Sequence, residues 1–164
     1  MKNLIVFLVV ALLAISACQQ ADTTADTKAM LQSAVEEIWN QGNLDKADQF
    51  FAPNYMRHNP RSLEPTTPSE IENLEEFKAY VEQFRATYPD FNVKVEAIIV
   101  EGDMAAARWT ATGTQKDTNK QLDVAGVSIT RLAEGKAVEE WVTWDTHLAM
   151  QQLGMVPSVE TTEK

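Results

Sequence analysis

Residues 91–144, FNVKVEAIIVEGDMAAARWTATGTQKDTNKQLDVAGVSITRLAEGKAVEEWVTW, decide the fold. Four runs in this stretch read as strands: Phe91 to Val100, Met104 to Gly113, Leu122 to Leu132 and Ala137 to Trp144. They are rich in β-branched and aromatic residues, which suit a half-buried pleated surface. The connectors Glu101-Gly102-Asp103 and Ala133-Glu134-Gly135-Lys136 are short enough for hairpins, while Thr114 to Gln121 is polar and longer. Three successive hairpin connections predict one antiparallel sheet.

Upstream of the strands the period changes from two to that of a helix. Met30, Ala34 with Val35, and Ile38 with Trp39 recur at helical spacing, and Gly42 is placed to end that helix. Asn43 can cap a short second helix carrying Leu44, Ala47, Phe50 and Phe51, which Pro53 closes. Tyr55 to Pro60 reads as an extended piece, because Pro60 keeps Asn59 out of the α region. Arg61 to Pro68 is a proline-rich loop. Ser69-Glu70-Ile71-Glu72 has capping-box spacing, and Ile71, Leu74, Phe77, Val81 and Phe84 mark one face of a third helix. Pro89-Asp90 turns the chain into the strands, and Thr146 to Leu153 forms a last helical turn or two before Gly154. Helices followed by a run of strands make an α+β protein, with room for a pocket between sheet and helices.

The N-terminus carries an address. Lys2 precedes an unbroken apolar run, Leu4 to Leu13, and small residues lead to Cys18, the order of a secretory signal peptide. The run is far short of the roughly 20 residues that span a bilayer. Ile15-Ser16-Ala17-Cys18 resembles the bacterial lipobox, which implies that residues 1–17 are removed and that Cys18 becomes a lipidated N-terminus. Gln19 in second place implies sorting to an outer membrane, facing the periplasm. Residues 18–27 then read as a flexible tether, 28–154 as one domain and 155–164 as a disordered tail.

Composition excludes several classes. Cys18 is the only cysteine, so the chain has no intramolecular disulfide, no cysteine zinc site and no thiolate catalysis. Its formal charge is −10, becoming −11 when Lys2 leaves with the signal, which is unsuited to nucleic acid. The two histidines form no HExxH, so no metal is expected, and without a GxSxG elbow or a Gly-rich phosphate loop serine-hydrolase and nucleotide chemistry lose their usual support.

Several short segments add up to a family. Trp39-Asn40-Gln41-Gly42-Asn43, Tyr55-Met56-Arg57-His58-Asn59-Pro60 and Tyr88-Pro89-Asp90-Phe91 resemble the SnoaL-like polyketide cyclases. Gly113-Thr114, Gly135-Lys136-Ala137-Val138-Glu139-Glu140-Trp141, Trp144-Asp145 and Gln151-Gln152-Leu153-Gly154 agree with them in order. The resemblance implies an NTF2-like cone whose curved sheet surrounds a mostly apolar cavity, and a homodimer formed through the sheet. It further implies aldol ring closure with no metal or cofactor, an aspartate general acid/base at Asp145 and a pocket histidine at His58. Many members carry a histidine where this chain has Gln115.

The residues themselves allow two readings at each place. Asp145 at a pocket wall would be desolvated and basic enough to take a proton beside a carbonyl, yet it also suits a helix N-cap. His58 could protonate a substrate oxygen, or be a hydrogen-bonded histidine at the rim of the core. Strand alternation puts Trp141 on the same face as Thr143 and Asp145, with Trp144 opposite, and Trp141 is expected to line the cavity. Tyr55, Phe84, Trp109 and Gln115 are further lining candidates. Two functions remain open: cofactor-independent acid/base chemistry on a carbonyl compound, or a lipid-tethered binding protein for an apolar small molecule.

Overall fold

The computed structural model of the chain describes residues 24–60 and 68–156. Residues 1–23, which hold the expected signal peptide and Cys18, residues 61–67 of the proline-rich stretch and residues 157–164 lie outside the described residues. Helix α1 runs over residues 24–40 and turns π-helical over Val35–Asn40. Residues 24–27, expected in the tether, are helical. A 3-10 turn, Leu44–Lys46, leads into the short helix α2, Ala47–Phe50. The remaining elements are β1 (Phe51–His58), β2 (Glu70–Ile71), α3 (Leu74–Thr87), β3 (Asn92–Glu101) and β4 (Met104–Thr114). They are followed by β5 (Gln121–Ala133), β6 (Lys136–Trp144) and α4 (Thr146–Gln152).

The six strands form one sheet in the order β2-β1-β6-β5-β4-β3. The two tight hairpins are two-residue turns, with Glu101 opposite Met104 and Ala133 opposite Lys136. Glu134 and Gly135 both have positive φ, 51° and 76°, the type I′ geometry that matches strand twist. The all-antiparallel expectation fails at one seam, because β1 pairs with β6 in parallel. Hairpins force antiparallel neighbours; β1 reaches β6 only by a long crossover, which leaves its direction free.

Two helix boundaries also differ from the sequence reading. Helix α2 stops at Phe50, before Pro53, since Phe51 and Tyr55 are drawn into β1 to pack on Phe77 of α3 at 4.9 and 5.0 Å. Helix α3 is capped by Asn73 rather than Ser69. The Asn73 side chain accepts from the Glu76 amide at 2.9 Å, and Glu76 accepts from the Glu72 amide at 3.0 Å, while Glu70-Ile71 pairs as a strand with β1.

Register shifts in β3 near Glu96 and in β6 near Val138 bend the sheet. The concave face holds two apolar clusters. One joins α1, α2 and α3 to β1 through Ile38, Phe51, Tyr55, Phe77 and Val81; the other seats α4 through Phe91, Leu122, Val124, Ala149 and Leu153. Trp39 packs against both.

Candidate functional site

Where the two clusters meet, packing is incomplete. Three spaces, with cavity volumes of about 50, 80 and 50 Å³, follow one another under the concave face, and Trp39 and Trp109 border all three. The first lies against α1, bordered by Met30, Leu31 and Ala34; the last lies against Tyr80, Phe84 and Trp144. The middle one carries the polar groups Arg57, Ser128 and Glu140. Such volumes suit a small or narrow molecule, well below the several hundred Å³ of a drug-sized pocket.

Alternation along the strands puts these groups there. In β1, Tyr55 and Arg57 point to the concave face, and in β5 the burial pattern sends Leu122, Val124, Gly126, Ser128 and Thr130 the same way. In β6, the shift at Val138 aligns Glu140 with Val142 and Trp144 on that face. Arg57, only 8 % exposed, donates to Glu140 and, through Nε, to the Asn59 side chain at 2.9 Å. Its guanidinium also lies 5.0 Å from the Trp39 ring centre, a cation–π contact. The Tyr55 hydroxyl donates to the same Glu140 oxygen, Oε2, at 2.6 Å.

These contacts fix the charges. Burial is the largest influence and disfavours the Arg57 cation, but the Glu140 carboxylate together with the Tyr55 and Tyr80 hydroxyls outweighs it and holds the group above its ordinary value. Burial and then the Glu140 charge push the Tyr55 phenol well above its ordinary value of 10.0. Arginine and carboxylate therefore cancel, with the phenol neutral beside them. Among the described residues the side-chain bonds to Glu140 use only Oε2, which leaves Oε1 able to accept, and Ser128, which accepts from Trp109 Nε1 at 2.9 Å, has a hydroxyl proton to donate.

The residues marked by the sequence divide between three places. Trp109 and Phe84 line the spaces, and Tyr55 stands behind Glu140. Trp141 does not line them. Trp141 shares a face with Thr143, but it is the convex face, and Trp144 turns inward. His58 is on the convex face as well, stacked on Trp141 with ring centres 5.5 Å apart and an interplanar angle of 10°. Its Nε2 lies 3.0 Å from Glu139 and its Nδ1 3.6 Å from Glu70.

Asp145 is exposed and caps α4, accepting from the Leu148 amide at 2.9 Å. It borders none of the three spaces, so His58 and Asp145 do not face each other across them. Gln115 stays in its own loop, accepting from the Thr118 hydroxyl. Arg57, Glu140, Ser128 and Trp39 were missed. The signal for Arg57 was available, since a residue two places after Tyr55 shares its face and His58 does not.

Comparison with known proteins accords with this architecture. The model of the SnoaL-like polyketide cyclase family matches residues 29–153. No curated protein sequence matches the chain. A solved structure assigned as a polyketide cyclase from Bacillus cereus is 27% identical, with a TM-score of 0.66 over 80% of this chain and 82% of that one. Another so assigned, from Acidithiobacillus ferrooxidans, is 23% identical, with a TM-score of 0.67 over 79% of this chain and 95% of that one. An NTF2-like protein of unknown function from Burkholderia pseudomallei, 15% identical, has a TM-score of 0.70 over 77% and 96% of the two chains. With the mixed curved sheet, the helices on its concave face and a family match covering nearly the whole described chain, this protein belongs to the SnoaL-like polyketide cyclase family and has the NTF2-like fold.

Proposed function

We propose that this protein is an exported, lipid-anchored receptor that holds a small, largely apolar molecule in the aromatic spaces beneath its sheet. The ligand's polar group meets Glu140 and Ser128. One observation carries the reading: the charged groups bordering these spaces, Arg57 and Glu140, form a charge-neutral clamp with Tyr55 behind them, whereas the two groups expected to move protons lie outside the spaces. Asp145 caps a helix on the surface and His58 stacks on the opposite face. A fixed clamp in an apolar wall orients a ligand.

The acid/base reading keeps one support, a carboxylate beside the cavity. In that reading Glu140 takes the place expected of Asp145 and removes a proton α to a carbonyl. Calorimetric titration with a panel of small phenols and cyclic ketones, followed by recovery of each ligand from heavy water, separates the two. Saturable binding with unexchanged ligand supports the receptor; deuterium incorporation that Glu140→Gln abolishes and Asp145→Asn does not would establish the enzyme.

The anchor is part of the proposal. Lipidation at Cys18 places the domain in the cell envelope, on an outer membrane facing the periplasm, and its acidity leaves the lipid to hold it there. Cys18→Ser is expected to move the protein from the membrane to the soluble fraction.

A further inference from the structure

Two indoles, Trp39 and Trp109, border all three spaces, and the two are held very differently. Trp39 is pinned. Phe77, Tyr80, Phe84 and Phe91 surround it edge-on at 5.8 to 6.2 Å between ring centres, and Arg57 stacks on it. Among the described residues the Trp109 indole has one hydrogen bond, from Nε1 to Ser128, and no aromatic ring is paired with it. Its six-membered ring lies over Gly126, where a Cβ would overlap it and would also come within 2.8 Å of the Thr143 carbonyl oxygen. The sheet thus provides a recess that Trp109 occupies because residue 126 has no side chain.

A ligand anchored at Glu140 and Ser128 starts in the middle space of about 80 Å³. Any longer apolar portion must continue into one of the outer spaces, and Trp109 borders both passages. Resting on the binding reading above, we propose that Trp109 is the specificity-determining partition of this site. Seated by Ser128 and Gly126, it limits the ligand to a short apolar molecule with one hydroxyl, and its removal merges the three spaces into a single channel. Trp39, held by four aromatic rings and Arg57, is the fixed wall.

The test is isothermal titration of the full chain with linear primary alcohols from butanol to dodecanol. The wild type is expected to gain affinity with length and then lose it abruptly at a cut-off. Trp109→Ala is expected to move that cut-off several carbons longer. Ser128→Ala removes both the hydrogen bond that seats the ring and a contact to the ligand hydroxyl, so it should weaken binding at every length while moving the cut-off longer by less than Trp109→Ala does. Should the alanine at 109 not fold, Trp109→Phe retains aromatic packing and is expected to shift the cut-off less. A weakening that is uniform across lengths, with the cut-off unmoved, would mean that Trp109 is only packing, and the partition is overturned. No binding of any alcohol by the wild type overturns the apolar-receptor reading itself, which keeps the two failures distinct.

Discussion

At Arg57 and Glu140 the molecule takes two charges out of water, which is costly unless each has its partner. Glu140→Ala leaves the guanidinium, 8 % exposed, without its carboxylate, and Arg57→Ala leaves the carboxylate without its cation. Each single change is expected to cost about 3–5 kcal/mol, read from urea unfolding midpoints, and the pair Arg57→Met with Glu140→Leu much less than the sum. Equal additive losses would show that the two act independently. Tyr55 gives the same cluster a pH signature. Its phenol is raised in the folded state, so above pH 10 the unfolded chain releases a proton that the folded chain retains. Stability contributed by Tyr55 is therefore complete below about pH 10 and falls as pH climbs toward the folded value. Urea midpoints between neutral and alkaline pH should show that decline, and Tyr55→Phe should flatten it, leaving the smaller slope due to other groups. An unchanged slope would place the alkaline sensitivity elsewhere.

Helix α3 shows how an element can be legible while its boundary is not. Leu74, Phe77 and Val81 are buried as their spacing required, yet the cap lies at Asn73 and Glu76, not at Ser69 and Glu72. Both quartets have the sequence form of a capping box; β1 selects between them by pairing Arg57 with Ile71 and His58 with Glu70. Asn73→Ala should then cost about 1 kcal/mol in chemical denaturation, and Ser69→Ala almost nothing. The reverse order would restore the earlier start. Strands β3 to β6 were readable because alternation and turn residues are local. The parallel seam between β1 and β6 was not, since nothing local records which edge a strand meets after a crossover. The site suffered the same way: parity placed Trp141, Thr143 and Asp145 together, but which face is concave depends on where the helices pack. The π-helical stretch Val35–Asn40 was equally silent in the sequence, though it sets Trp39 between the two clusters and lets Asn40 pair with the backbone of Val93 at 2.7 and 3.1 Å.

For the whole molecule, the unequal treatment of the two sheet faces is the consequential feature. The concave face is covered by helices; the convex face carries Ile99, Ile129, Val127 and Met56 at 71, 43, 38 and 36 % exposure, with the His58–Trp141 stack beside them. A face of this kind suits self-association, and the homodimer we propose joins two copies through it about a two-fold axis, each residue meeting its counterpart's surroundings. Two chains of formal charge −10 repel each other, so association must come from apolar burial and should strengthen as salt screens the long-range charge, over a Debye length of about 10 Å at 0.1 M. Sedimentation velocity should find a dimer whose dissociation is weaker at higher ionic strength. Ile129 is central in β5, with its side chain on the convex face opposite Trp141 and Ala106. Ile129→Glu places two like charges in the interface and is expected to give a monomer with an unchanged circular dichroism spectrum. Because the concave spaces do not border this face, the monomer should bind the same short alcohols with the same cut-off. A wild-type chain that sediments as a monomer at every salt concentration would rule out the dimer and leave the cavity assignment untouched.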